Sequence, residues 1–279
     1  MRTFYILDKK KVKEESITIP YLKRGFLYGD GIFETLRAKG SKIFMWHQHI
    51  RRLKKGAMVC GLEIPDDIDS MKEEIEKLLK KHRIKDAYIR INLWRKNPES
   101  FDPAGEKEAH ILVMVRRYHP YPEKFYREGI RCIISKNYFR NEKSSLVYIK
   151  SLNYLENILA RMEARREKCD DAILLNTSEY LACAAVSNLF FVKKERIYTP
   201  SLECGILKGT VRDMVFNICK RYGIKTEEGK FYPEELKDAD EVFLTNTLMC
   251  LMPVKEIKGI FESKGFKISS FLREELEKL

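Results

Sequence analysis

The sequence contains no apolar run that approaches the ~18 consecutive residues a helix needs to cross a bilayer. Its first ten residues, MRTFYILDKK, also lack the apolar core and the small-residue cleavage site of a secretory signal peptide. Disorder is excluded as well, because 44% of the residues are hydrophobic. These features predict a folded cytoplasmic protein without a membrane segment.

The seven cysteines form no CxxC pair and have no histidine at metal-ligand spacing. Their number is odd, and they are scattered along the chain at positions 60, 132, 169, 183, 204, 219 and 250. The sequence therefore predicts neither a disulfide framework nor a metal site. Most of these cysteines are expected to be small, buried apolar side chains.

Basic residues are not gathered into one arm, although 53 Lys and Arg against 41 Asp and Glu give a net charge of +12. Acidic and basic residues alternate in stretches such as KEEIEKLLKKHR and RMEARREK. Such mixing favours a solvated charged surface over a nucleic-acid site. We therefore expect no nucleic-acid partner.

The chain of 279 residues is long enough for one large domain or for two smaller ones with their own cores. The stretch RRYHPYPEKF, residues 116–125, interrupts the hydrophobic pattern with two prolines. This interruption predicts a small N-terminal α/β domain over 1–118, a linker over 116–122 and a larger domain over 123–279.

Hydrophobic periodicity predicts strands mixed with helices in both domains, which is typical of the α+β class. In the first domain we expect strands at 2–7, 32–38, 41–46, 87–94 and 110–116, and helices at 49–62 and 67–81. In the second we expect strands at 129–135, 146–149, 172–176, 187–192, 196–200, 241–246 and 251–257, and helices at 152–168 and 210–222. Ser151 is expected to cap the helix at 152–168, whose apolar stripe is Leu152, Leu155, Ile158, Leu159 and Met162.

Lys150 is the first candidate for chemistry, because it follows the apolar stretch LVYI. A lysine at the exit of an apolar strand is partly desolvated, and desolvation favours the neutral amine that can attack an aldehyde. The alternative is an ordinary lysine that extends from a strand end to solvent.

An anion site is the second candidate, at the segment GILKGTVR that leads into the helix at 210–222. Gly209 lets the backbone approach a ligand closely, and Thr210 offers a hydroxyl at a helix N-terminus. The stretch Thr245-Asn246-Thr247 follows a strand, and Arg52 is the candidate to face inward and pair with a phosphate. The neighbouring Arg51 is expected to face solvent.

Taken in order, several segments resemble the class IV aminotransferases, which are pyridoxal-phosphate enzymes of fold type IV. The resemblance covers nearly the whole chain, in the segments YGDGIFETLR (28–37), HIRRL (49–53), IKSLNYLENILARMEA (149–164), DDAILLN (170–176), SNLFFV (187–192), YTPSLECGILKGTVRD (198–213) and FLTNTLMCLMPV (243–254). It implies a small N-terminal domain, a larger pseudo-barrel domain, pyridoxal 5′-phosphate in the cleft between them, a small amino substrate and a homodimer.

The resemblance also implies roles for individual residues. Lys150 matches the lysine that holds the cofactor aldehyde, and Arg52 matches a phosphate-binding arginine. Thr210, Val211 and Thr247 match the other phosphate-binding positions. Tyr154 resembles the tyrosine near the cofactor's phenolic oxygen, one residue closer to the lysine than in the branched-chain enzymes. Asn188 and Phe190 match the strand that flanks the pyridine ring.

Cys183 departs from the family pattern, which places a glutamate five residues before the asparagine. That carboxylate would keep the pyridine nitrogen protonated, since opposite charges stabilise each other. A thiol with an ordinary pKa of about 8.5 is mostly neutral near pH 7. The sequence therefore predicts a cofactor that withdraws electrons less strongly; Glu179, four residues upstream, is too distant for a simple exchange.

Within the family, FLTNTLMCLMPV is most similar to the aminodeoxychorismate lyases. These enzymes eliminate pyruvate from aminodeoxychorismate and leave 4-aminobenzoate. The expected substrate contacts are Tyr28, Arg95 and Asn246. The alternatives are an aminotransferase for D-amino acids or branched-chain amino acids, and a non-catalytic relative that binds the cofactor. The D-amino acid enzymes have a paired Arg and His after this strand; here Arg95 is present but no His follows it.

Overall fold

The chain divides into two units, one formed by Met1–His119 with Ile149–Asn153 and the other by Pro120–Tyr148 with Tyr154–Leu279. The structure, a computed structural model, describes residues 3–13, 24–65, 67–96 and 101–278. The predicted α+β class is confirmed. The short segment that carries Lys150 returns to the first unit, which the proline pattern near residue 120 did not indicate.

The first unit contains a six-stranded antiparallel sheet in the order β2-β1-β6-β5-β3-β4. Its elements are β1 Thr3–Leu7, β2 Lys10–Val12, α1 Arg24–Leu27, β3 Gly31–Lys39, β4 Lys42–Ile43, α2 Trp46–Cys60, α3 Ser70–Lys81, β5 Asp86–Arg95 and β6 Ala109–Arg117. Alternate residues of β3 and β5, such as Leu36 and Ile89, point into a core that also includes Ile50 of α2 and Ile75 of α3.

The second unit contains a closed ring of six strands, because β9 pairs with both β8 and β10. The ring is β10-β13-β14-β7-β8-β9, with β11, β12 and β15 attached. The elements are α4 Glu123–Glu128, β7 Ile130–Arg140, α5 Leu155–Arg166, β8 Asp171–Asn176, β9 Leu181–Ala184, β10 Ser187–Lys193, β11 Arg196–Pro200, α6 Thr210–Tyr222, β12 Thr226–Gly229, β13 Glu241–Asn246, β14 Cys250–Ile257, β15 Phe261–Glu262 and α7 Lys267–Glu277.

Alternation along the ring strands separates two apolar clusters. Leu189, Phe191 and Leu244 belong to the cluster of ring residues that point to one side. Cys183 and Leu174 belong to the other cluster, which includes residues of α5. Cys183 pairs with Asn188, and Asn188 points to the opposite side of the sheet from its neighbour Leu189, because side chains alternate along a strand. Cys183 is therefore not in the cluster that holds Leu189.

The sequence prediction was wrong around Lys150. Residues 146–149 are not a strand, since Ser145–Tyr148 forms a 3₁₀ turn. Four apolar residues are too few for periodicity to distinguish a strand from a helical turn. The strand predicted at 41–46 is likewise shorter, because α2 already begins at Trp46.

The helix predicted from residue 152 begins at Leu155, and Ser151 is not its cap. Ser151 forms a β-bridge with Ile32, and the Leu152 amide donates to the Gly31 carbonyl at 2.9 Å. This pairing holds the backbone extended, so the helix starts only after it.

The predicted core stripe of α5 was also wrong for its main members. Leu155, Ile158 and Met162 are 66%, 55% and 44% exposed, whereas the helix buries Ala160 and Ala164. Small alanines let α5 pack closely on the strands beneath it, and the large apolar side chains are left on the outer face. Within the described parts of the chain, no helix is long and apolar enough to span a membrane.

Candidate active site

Lys150 lies on a short extended segment beside β3, in the first unit. Its carbonyl accepts a 2.8 Å hydrogen bond from the Phe33 amide, and the adjacent β-bridge places the two residues opposite each other. Directly opposed residues point to the same side of a sheet. The Lys150 ammonium accordingly lies 4.5 Å from the centroid of the Phe33 ring, with the side chain half-buried.

Arg90 places a second cation against the same ring, and the sequence prediction missed it. Its guanidinium carbon lies 3.8 Å from the Phe33 centroid, and its Nε donates to Asn92 Oδ1 at 2.8 Å. Arg90 alternates with buried residues along β5, so in the sequence it is indistinguishable from a solvated strand residue. Two cations against one aromatic ring make this part of the sheet suited to an anionic group.

Arg52 faces inward, as predicted, whereas Arg51 is exposed. Arg52 donates from Nε to Glu34 Oε1 at 2.7 Å and from Nη2 to Glu34 Oε2 at 2.8 Å. His49 Nδ1 lies 2.7 Å from Glu34 Oε2, and both His49 and Glu34 are completely buried. The sequence alone indicates no role for Glu34 or His49.

The electrostatics of this cluster fix its protonation. Burial raises the pKa of the Glu34 carboxyl, but the charge and hydrogen bonds of Arg52, together with the bond from His49, outweigh burial and hold that pKa well below its usual range. Burial lowers the pKa of His49 below its usual value, and the charges of Arg52 and Lys150 add to this against the opposing effect of Glu34. Glu34 is therefore an anion near pH 7 and His49 a neutral donor through Nδ1–H.

The predicted anion site lies in the second unit, at the N-terminus of α6. Asn188 donates from Nδ2 to the Leu207 carbonyl at 2.9 Å, and the Thr210 and Thr247 hydroxyl oxygens are 3.4 Å apart. A Cβ on Gly209 would fall 1.9 Å from Asn188 Oδ1, so only glycine fits at this close approach. The structure thus brings Asn188, Thr210 and Thr247 into one cluster, with Val211 buried beside them in the first turn of α6.

An unsatisfied hydroxyl indicates that this cluster suits a ligand. Thr245 stands directly opposite Asn188 in the pairing of β10 with β13, and it is 1% exposed. Its Oγ1 has no hydrogen-bond partner among the residues that the structure describes. A buried polar atom of this kind costs about 1–3 kcal/mol unless a ligand or water satisfies it. Together with the amides and dipole of the α6 N-terminus, it fits a phosphate.

Cys183 stands directly opposite Asn188 in the pairing of β9 with β10, and is therefore on the same face of the ring. Burial raises the pKa of its thiol, and the nearby charge of Arg140 opposes this only in part. Arg140 donates to the Gly205 and Val147 carbonyls, each at 3.3 Å, and lies 3.9 Å from Glu156. A buried thiol with a raised pKa is thus found at the position where the resemblance implies a carboxylate.

Arg95, one predicted substrate contact, is 6% exposed, and its donors are engaged elsewhere. Its Nε donates to Asp30 at 3.0 Å, and its Nη atoms donate to the carbonyls of Cys60, Gly61 and Glu106. These bonds tie the end of β5 to neighbouring loops. The substrate role of Arg95 stays a prediction.

The remaining predicted residues lie at element ends. Tyr154 occupies the N-cap position of α5. Tyr28 is 42% exposed and meets the edge of the Phe101 ring at 5.5 Å. Asn246 Oδ1 accepts from the amides of Leu248 and Met249, each at 2.9 Å, and so shapes the turn that carries Thr247.

Phe190 is fully buried and stacks on Phe243 at a centroid distance of 5.0 Å. Its ring also packs against Phe216 of α6, at a centroid distance of 6.2 Å. Its expected contact with a pyridine ring stays a prediction.

Comparisons with known proteins agree on one family. The family model for amino-transferase class IV matches residues 31–257. The chain is 31% identical to a D-alanine aminotransferase of Staphylococcus epidermidis, over 92% of this chain and 90% of that protein. It is 29% identical to an aminodeoxychorismate lyase of Bacillus subtilis, over 92% of this chain and 87% of that protein.

A solved structure is similar over nearly the whole chain. A branched-chain amino acid aminotransferase from T.th., solved with pyridoxamine 5′-phosphate, superposes with a TM-score of 0.91 at 27% identity, covering 99% of this chain and 93% of that one.

Proposed function

Because this chain belongs to the class IV aminotransferases, which are pyridoxal-phosphate enzymes, we propose that Lys150 binds the cofactor aldehyde covalently. The position of its amine supports this proposal: it is half-buried, lies 4.5 Å from the centroid of the Phe33 ring, and is carried by a segment whose backbone is fixed by hydrogen bonds to β3, so it is held in one place for attack on the aldehyde. When bound, pyridoxal 5′-phosphate supplies an electron-withdrawing ring that stabilises negative charge at the substrate's α-carbon.

For the phosphate, we propose Arg52 together with Thr210, Val211 and Thr247. The inward position of Arg52, the close approach of the Thr210 and Thr247 hydroxyls, and the partnerless Thr245 hydroxyl opposite Asn188 support the assignment. For the ring, we propose Asn188, Cys183 and Tyr154. For a substrate carboxylate, Arg90 is a candidate because it shares the Phe33 ring with Lys150.

Among the activities of this family, we propose aminodeoxychorismate lyase. The observation that carries this choice is the neutral, buried Cys183. Without a carboxylate at the ring nitrogen, negative charge at the α-carbon is stabilised less strongly. Elimination discharges that charge at once through the leaving group, whereas transamination requires it to persist until reprotonation. Weaker stabilisation of the negative charge at the α-carbon therefore favours elimination over transamination.

In this reaction Lys150 acts as the base at the substrate. Its Nζ accepts the proton from the carbon that bears the amino group, and the bond from the neighbouring carbon to the enolpyruvyl oxygen breaks. The ring becomes the aromatic 4-aminobenzoate, and the enolpyruvate takes up a proton to become pyruvate. Arg90 holds a carboxylate of the substrate during this step.

The reaction is tested by supplying the purified holoenzyme with aminodeoxychorismate, D-alanine, L-glutamate or L-isoleucine, each amino acid with a suitable 2-oxo acid. We expect 4-aminobenzoate and pyruvate in equal amounts from the first compound, and much slower amino transfer with the other three. Rapid transfer from D-alanine or L-isoleucine without 4-aminobenzoate would instead identify an aminotransferase, the activity after which several relatives are named.

We also propose a homodimer that covers the exposed apolar face of α5, formed by Leu155, Ile158 and Met162. Residues spaced by three and four lie on one side of a helix, and a second copy would remove this apolar area from water. Sedimentation of the native protein is expected to give twice the chain mass, and Ile158→Glu should shift it to one chain. Met58→Glu, at an exposed apolar residue of α2, is the control; a native monomer would refute the dimer.

A further inference from the structure

Glu34 is an anion on the side of β3 whose other residues are apolar and buried. Ile32 and Leu36, its neighbours at two residues on either side along β3, are 1% and 0% exposed, and Glu34 is equally buried. A buried carboxylate is costly unless charged and hydrogen-bonding partners surround it. An apolar residue would fill the same position without that cost. The presence of a carboxylate therefore indicates a role other than packing.

The partners of Glu34 are arranged as a clamp on one guanidinium. Nε and Nη2 of Arg52 donate along parallel directions to the two carboxylate oxygens, which fixes the plane of the guanidinium. His49, one turn earlier on α2, also contacts Oε2 through Nδ1, at 2.7 Å. The clamp therefore sets the directions of the remaining N–H bonds of Arg52.

From this geometry we infer that Glu34 is a positioning residue for Arg52, oriented in turn by His49, and that it prepares the guanidinium for the cofactor's phosphate. The inference rests on the proposed role of Arg52 as a phosphate ligand. An arginine side chain otherwise loses considerable rotamer freedom when it binds, and a fixed guanidinium has lost that freedom in advance.

Charge alone gives the opposite expectation, which makes the inference testable. Glu34 adds a negative charge near the site of a dianion, so removing that charge would strengthen phosphate binding if electrostatic attraction were the only effect. If orientation dominates, removing the carboxylate weakens phosphate binding. The sign of the change in Glu34→Gln distinguishes the two.

The experiment compares the affinities of the apoprotein for 4′-deoxypyridoxine 5′-phosphate and 4′-deoxypyridoxine by calorimetry. The two probes differ only in the phosphate and have no aldehyde to react with Lys150, so the ratio of their affinities reports the phosphate contribution alone. Arg52→Ala is expected to lower this ratio about ten- to a hundredfold, as for a hydrogen bond to a charged group. Glu34→Gln is expected to lower it at least about tenfold.

Asp86→Asn is the matched control, because Asp86 accepts a similar two-bond clamp from Arg37 at 3.0 and 3.1 Å on the same sheet. It should leave the ratio unchanged. Should Glu34→Gln fail to fold, His49→Asn and His49→Ala serve instead. Asparagine keeps a donor near the position of Nδ1 and should preserve the ratio, whereas alanine should lower it.

A ratio that is unchanged or raised in Glu34→Gln, with a lowered ratio in Arg52→Ala, would overturn the positioning role and leave Arg52 as the phosphate ligand. An equal ratio in His49→Asn and His49→Ala would overturn it in the same way. An unchanged ratio in Arg52→Ala would refute the proposed phosphate ligand itself, and the inference with it.

Discussion

Replacing Lys150 with alanine is expected to abolish both the visible absorbance of the purified protein and its activity. The absorbance requires a covalent bond between the cofactor aldehyde and a lysine amine, and the activity requires the same amine as a base. The backbone bonds of the segment, from Phe33 to the Lys150 carbonyl and from Leu152 to Gly31, do not involve the side chain. The melting temperature should therefore stay near that of the native protein.

Lys143→Ala is the control, since Lys143 is an exposed lysine close by in the sequence. It should retain full absorbance and activity. If the Lys150→Ala protein kept the visible band, and borohydride still fixed the cofactor to it, the reactive lysine would lie elsewhere.

Replacing Cys183 with glutamate is expected to raise the rate of transamination of simple amino acids by about tenfold or more, which corresponds to ~1.4 kcal/mol per tenfold change. A carboxylate at this position would favour the protonated ring nitrogen and so stabilise negative charge at the α-carbon. Elimination should change less, because its charge is short-lived. The measurement pairs the transamination rate with the melting temperature.

The charges around Cys183 favour this substitution more than those around other buried cysteines. Among the charges that act on the Cys183 thiol, Arg140 has the largest effect and lowers the pKa, whereas Asp171 and Glu156 raise it, so the cost of an introduced carboxylate would be partly offset. Cys132→Glu is the contrasting control, because Cys132 is fully buried near Asp171. An unpaired carboxylate there should destabilise the fold by several kcal/mol, on the order of 3–5 kcal/mol. A similar loss of stability in Cys183→Glu, seen as a strongly lowered melting temperature with loss of the cofactor, would show that Cys183 belongs to the core and does not face the cofactor.

Elements with long periodic patterns could be predicted from the sequence. The helix at 210–222 and the strand at 241–246 have the predicted bounds, since each has a strong pattern and clear ends. The segment before α5 could not be predicted, because its structure depends on the pairing of Ser151 with Ile32, more than a hundred residues away. Local sequence carries no information on such a contact.

The candidate site shows the same limit. The resemblance to a family identified Lys150 and Arg52, whereas Glu34 and Arg90 lie in strands whose polar residues resemble ordinary surface positions. Their roles depend on which side of the sheet they face and on their contacts in the folded chain: Glu34 binds Arg52 of α2, and Arg90 packs against Phe33 of β3. For Arg95, which was suggested by the resemblance, the structure shows donors bound to Asp30 and to backbone carbonyls, and its substrate role stays a prediction.

The role of Lys150 is tested by reducing the holoenzyme with borohydride, digesting it and locating the pyridoxyl group by mass spectrometry. We expect a single modified lysine, Lys150, in the peptide that contains SLNYLENILAR. A pyridoxyl group on any other lysine, with Lys150 unmodified, would contradict this role.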